Sequence, residues 1–115
     1  MKKLKMLIVG HGFVGKAVDY GFNTKMVEKT IVDPIYGSTL KDTKDIDVNV
    51  TFVCVPTPMG DNKEVDASIV IDTVKQLRRR RAGIIVIKST ITPDVVHELT
   101  KGSTGKRVIY NPEFL

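Results

Sequence analysis

Glycines at positions 10, 12 and 15, followed by an acid at position 33, are the residues of this chain whose types and spacing most plainly specify chemistry. They follow an apolar run, Met6-Leu7-Ile8-Val9, in the order Gly10-His11-Gly12-Phe13-Val14-Gly15, and the proline-free stretch beyond can open a helix. A glycine turn between a strand and a helix brings free backbone amides and the positive end of the helix dipole to bear on an anion. There, Gly10 permits the tight turn, Gly12 lets the main chain approach a diphosphate, and Gly15 lets the helix lie close to the sheet. Phe13 and Val14 sit inside the same motif and share its contact with the ligand. Asp33 ends a second apolar run, residues 26–32, about 20 residues after the loop, where a carboxylate accepts hydrogen bonds from ribose hydroxyls. It would repel a 2′-phosphate, so the spacing predicts a dinucleotide site that takes NAD rather than NADP. His11 fills a spacer position and reads as a neighbour of the phosphates, not as a catalyst.

These groups need a scaffold, and the rest of the chain supplies its elements in alternation. Residues 34–49 begin with Pro34, lack clear periodicity and read as loop with at most one helical turn. Residues 50–55 form a continuous apolar run stopped by Pro56, the pattern of a strand buried on both faces. Asp66 is placed to cap a helix over residues 67–80, whose apolar positions Ile69, Val70, Val74 and Leu77 recur at helical spacing. After Gly83 come a buried strand at residues 84–87, a helix at 93–99 with Thr92 as cap and Pro93 in its first turn, and a last strand at 107–110. Strands alternating with helices imply an α/β fold, a Rossmann-like doubly wound parallel sheet of about five strands in the order 2-1-3-4-5, forming a single domain over residues 1–115. The segment after Asp33 is too short for a further strand with its crossover. Ligands bind such sheets at the carboxyl ends of the strands, beside the point where strand order reverses. The glycine turn, Asp33, Pro56-Thr57-Pro58, Lys88-Ser89-Thr90 and Asn111-Pro112-Glu113 all fall on that edge.

At 115 residues, with 42% hydrophobic and 27% charged residues, the composition is that of an ordinary globular domain. No apolar stretch approaches the length of a membrane span, a single cysteine excludes an intramolecular disulfide, and no metal site is expected. Cytoplasmic residence is the default expectation. The net charge of +5 and the run Arg78-Arg79-Arg80-Arg81 raise the question of nucleic acid. The run closes an amphipathic segment just before Gly83, where cations suit the negative end of a helix dipole, and no aromatic residue lies near to stack a base. It is read as a solvated helix end, with no nucleic-acid partner. The sheet edge left by the absent strand is available to pair with a second copy, as in a homodimer.

With the strand-end motifs in order, the chain resembles the N-terminal NAD-binding domain of the UDP-glucose/GDP-mannose dehydrogenases. The resemblance rests on Gly10-His11-Gly12-Phe13-Val14-Gly15, Cys54-Val55-Pro56-Thr57-Pro58, Lys88-Ser89-Thr90-Ile91 and Asn111-Pro112-Glu113-Phe114-Leu115, and spans nearly the whole chain. It implies an enzyme of the UDP-glucose 6-dehydrogenase kind, which oxidises a sugar-nucleotide primary alcohol to the carboxylate in two NAD-dependent steps through a cysteine thioester. It further implies that Thr57 and Thr90 lie along the cofactor, that Thr90 also stands near the reacting carbon, and that Glu113 serves as a base in thioester hydrolysis. A carboxyl beside Phe114 and Leu115 suits proton transfer. Cys54, inside an expected core strand, is read as packing and not as the family's nucleophile. Lys88 is read as ending a strand in preference to neutralising phosphate. Thr92-Pro93-Asp94 departs from the family's proline-glycine. The family's nucleophile and sugar-binding surface lie beyond Leu115, so the expectation is a catalytically incomplete piece of a longer dehydrogenase, or alternatively a reduced nucleotide-binding module acting through a partner.

Overall fold

The centre of the molecule is the apolar run that leads into the glycine turn: β1, Leu4–Val9, pairs in parallel with a strand on each side. A computed structural model describes residues 3–101 and 107–112. From β1 the chain passes through α1 (Phe13–Gly21) to β2 (Val27–Val32), then through two 3-10 turns, Pro34–Tyr36 and Leu40–Thr43, to β3 (Val50–Val53). It continues through α2 (Ser68–Leu77), β4 (Ile84–Ile87), α3 (Pro93–Thr100) and β5 (Val108–Tyr110). All five strands are parallel and lie in the order β2-β1-β3-β4-β5, as the alternation predicts. No strand occurs between Asp33 and Val50.

Alternation along β1 divides the core between the two faces of the sheet. Leu7 and Val9 pack with Val53, Ile85, Ile87 and Val108 against Val70, Val74 and Leu77 of α2 and Leu99 of α3. Met6 and Ile8 point the other way, toward Cys54 and the α1 residues Val14 and Val18. Four consecutive residues of β1, Met6 to Val9, are buried because helices cover both of its faces.

Several boundaries differ from the sequence reading. Helix α2 stops at Leu77, short of 80, and its buried stripe is Val70, Thr73, Val74 and Leu77. Ile69 is exposed; the stripe turns one position away from it. Asp66 Oδ1 accepts from the Ser68 amide at 2.9 Å, so it does hold the start of the helix, one residue outside the formal cap. Thr92 precedes α3 as expected, but its hydroxyl bonds the Asp94 carboxylate and caps no amide. Strand β3 ends at Val53, so Cys54 lies just past it, although the Cys54 amide still donates to Val9 O at 2.7 Å. Strands β4 and β5 are not buried on both faces: Ile84 of β4 and Ile109 of β5 are about half exposed, on the face where α1 packs over β1 and β3.

Candidate functional site

The reversal of strand order falls between β1 and β3, and the residues that immediately follow four of the strands close around one cleft there. Its volume is about 410 Å³, and its walls are Gly10, Gly12, Phe13 and Val14 after β1, Asp33 after β2, Cys54 to Thr57 after β3, and Lys88, Ser89 and Thr90 after β4. Larger hollows elsewhere, at the opposite ends of the strands and between α2 and α3, lack any such convergence of loops. The cleft joins every sequence-predicted cofactor position except Gly15, which lies beneath it. Glu113, the expected base, lies outside the described residues.

The three glycines divide by cause. Gly10 has φ +95°, and a Cβ there would meet Cys54 O at 2.5 Å; a Cβ on Gly15 would meet Gly10 O at 1.9 Å. Turn and helix therefore touch through bare backbone, and the protein's own packing demands both residues. At Gly12 a Cβ would meet nothing within 4 Å among the described residues. The missing side chain there leaves open space beside the first amides of α1, whose N–H groups have no partner within the helix. That bare cradle fits a diphosphate, held by amides and the helix dipole.

Asp33 closes the other end of the cleft. Its Oδ2 accepts from the His11 amide at 2.6 Å and its Oδ1 from the Ile35 amide at 2.9 Å. These bonds, the His11 amide first, hold its carboxyl below the ordinary range, with Lys16 adding a smaller pull. The group is a fixed anion with lone pairs to spare for a ribose diol. Thr57 and Thr90 line the opposite end, and among the described residues neither hydroxyl is spent on a protein partner. Lys88 Nζ donates to Asn111 Oδ1 at 2.9 Å, tying the ends of β4 and β5, and its charge also reaches Cys54. Ser89 is buried and donates to Val55 O at 2.7 Å, shaping the turn after β3.

The sequence reading missed two features. The His11 ring is engaged by Asp19 and Tyr36, a contact that local pattern does not announce. The arginine run is not simply solvated: Arg78 donates to Leu99 O, and Arg80 donates to Leu40 O, Thr43 Oγ1, Thr43 O and Ile46 O.

A doubly wound sheet with a glycine cradle, a fixed acid and open hydroxyls around one cleft defines a dinucleotide-binding domain. The chain belongs to the UDP-glucose/GDP-mannose dehydrogenase family, as its NAD-binding domain: residues 35–115 match that family by its description. The glycine loop and Asp33 precede the matched segment, so their place in the site rests on the fold. The chain is similar to the UDP-glucose 6-dehydrogenase AglM of Haloferax volcanii, with 30% identity over 104 aligned positions that cover 74% of this chain and 24% of that protein. Its fold is similar to the UDP-N-acetyl-mannosamine dehydrogenase Cap5O of S. aureus (TM-score 0.74, 19% identity, 96% of this chain and 37% of that one). It is also similar to a UDP-glucose dehydrogenase of Pyrobaculum islandicum (TM-score 0.66, 19% identity, 98% and 36%) and to a GDP-mannose dehydrogenase of Pseudomonas aeruginosa (0.66, 21%, 96% and 36%). The chain thus spans about a quarter of the curated relative and just over a third of the solved ones. Among the described residues no helix is long and apolar enough to cross a membrane.

Proposed function

We propose that the cleft binds NAD with its diphosphate over residues 10–15, its adenosine ribose on Asp33 and its nicotinamide end toward Thr57 and Thr90. The chain would then be the cofactor-binding part of a dehydrogenase that oxidises the primary alcohol of a sugar nucleotide, of the UDP-glucose kind, to the carboxylate. The observation that carries the reading is Gly12, whose lack of a side chain no neighbour among the described residues requires. Bound NAD supplies a hydride acceptor. Around it, the amides of residues 13–15 hold negative charge, Asp33 discriminates against a 2′-phosphate by repulsion, and the neutral Thr57 and Thr90 hydroxyls orient the reacting end without opposing charge. Glu113 is carried over from the family pattern as the base. Cys54 has no part in the covalent step, since burial pushes its thiol up to about 12 against the pull of Lys88.

Calorimetric titration of the chain with NAD tests the cleft. Gly12→Val is expected to weaken binding at least about tenfold, because the added methyls occupy the diphosphate's place, while the melting temperature stays within a few degrees. Asp33→Ala is expected to weaken NAD and to narrow its margin over NADP. Equal affinity in wild type and Gly12→Val would overturn the reading.

A further inference from the structure

Beside Asp33, outside the walls of the cleft, runs a chain of polar side chains that the binding of a diphosphate does not explain. The His11 ring, only 11% exposed, has Nδ1 at 2.6 Å from the Tyr36 hydroxyl and Nε2 at 2.9 Å from Asp19 Oδ2. Lys29 Nζ donates to Asp19 Oδ1 at 2.5 Å and to the Asp19 carbonyl at 2.9 Å. The ionised carboxylate only accepts, so Nε2 donates to it. In the tautomer with its single proton on Nε2, Nδ1 accepts from the Tyr36 O–H. Hydrogen bonds from Lys29 and then His11 depress the Asp19 carboxyl, keeping that anchor ionised.

The same residue is tied to Asp33 by its main chain. The His11 amide donates to Asp33 Oδ2 at 2.6 Å, and Asp33 in turn caps the short turn that carries Tyr36, through Ile35 N at 2.9 Å and Tyr36 N to Asp33 O at 3.0 Å. That turn leaves Ile35 79% and Tyr36 55% exposed. Two large apolar side chains thus stand in water beside a carboxylate whose geometry is already set, and one of them is held by a largely covered imidazole. A planar, largely apolar base attached to a ribose matches that combination.

We propose that His11 is the positioning residue for the adenosine end of the dinucleotide: anchored on Asp19 and Lys29, its ring locks Tyr36 while its amide locks Asp33, presenting ribose and base with one preset surface. The gain is preorganisation, since the turn and the tyrosine need not be ordered when the ligand arrives. This rests on the cleft being the NAD site.

The test is titration with NAD and with ADP-ribose, which keeps the adenosine end and lacks nicotinamide, on wild type, His11→Ala, His11→Asn, Tyr36→Phe and the double variant His11→Ala with Tyr36→Phe. One hydrogen bond corresponds to about three- to tenfold in affinity. His11→Ala is expected to weaken both ligands by the same factor, about tenfold, and Tyr36→Phe by about threefold. Tyr36→Phe should cost nothing further once His11 is Ala, since the two act as one unit. His11→Asn, which keeps an acceptor near the place of Nδ1, should recover most of the loss. Should His11→Ala melt early, Tyr36→Phe and His11→Asn decide alone. Unchanged affinity in Tyr36→Phe, or additive losses in the double variant, overturns the proposal and leaves the cleft reading intact. A wild type that binds neither ligand overturns both.

Discussion

Single residues at this site answer to two masters, the protein's packing and its ligand, and the structure separates them. Gly10 and Gly15 are required by backbone contact, whereas Gly12 is required by no contact among the described residues. The sequence marks all three alike, because a motif records residue type and not cause. Cys54 was legible as a packing residue from its apolar neighbours, and its place against Gly15, with 3.6 Å between its Cβ and the position a Gly15 Cβ would take, adds why it must stay small. Cys54→Leu is expected to destabilise the chain by about 1–3 kcal/mol in urea denaturation, by forcing α1 from the sheet. The native thiol, raised to about 12 by burial, should react with an aromatic disulfide at neutral pH more than about a hundredfold more slowly than the urea-unfolded thiol. Comparable rates would place Cys54 at the surface.

At the level of elements, the arginines after α2 show where local rules end. Composition and position rightly put cations at the end of a helix. Yet the carbonyls that Arg80 takes up belong to residues 40, 43 and 46, more than thirty positions away in the chain. Those carbonyls come from the stretch that replaces a strand and helix between β2 and β3, and a planar guanidinium with several donors ties them to the sheet's helical layer. Arg80→Ala should therefore cost about 1.5–3 kcal/mol by chemical denaturation, with Arg80→Lys recovering little. The neighbouring exposed Arg79→Ala should stay within about 0.5 kcal/mol. Equal effects at the two positions would return the run to a solvated helix end.

For the molecule as a whole, the parallel sheet gathers the polar loops on one edge, and its electrostatics follow. Asp19 and Asp33 are both held below the ordinary carboxylate range, the first chiefly by Lys29 and the second chiefly by the His11 amide. The sign follows from linkage: a folded-state pKa below the unfolded one stabilises the fold above the unfolded value, and that contribution is lost as pH falls through the folded one. The denaturation midpoint is thus expected to hold from neutrality down to about pH 5 and then to fall progressively below about pH 4. In Asp33→Asn the acid loss should be shallower; an identical profile would show that Asp33 contributes nothing to it.

The sequence by itself determined the strand and helix alternation, the parallel order 2-1-3-4-5, the glycine turn and its acid, and the gathering of Thr57, Thr90 and Lys88 at one edge. Each of these follows from local periodicity, turn chemistry and the handedness of parallel crossovers. Tertiary structure alone decided that Gly12 faces empty space, that the His11 ring joins Asp19 to Tyr36, that Arg80 gathers the loop before β3, and that Ile84 and Ile109 stay half exposed. Those outcomes depend on which distant groups the packed sheet brings within reach, and spacing along a chain carries no record of distance across a fold.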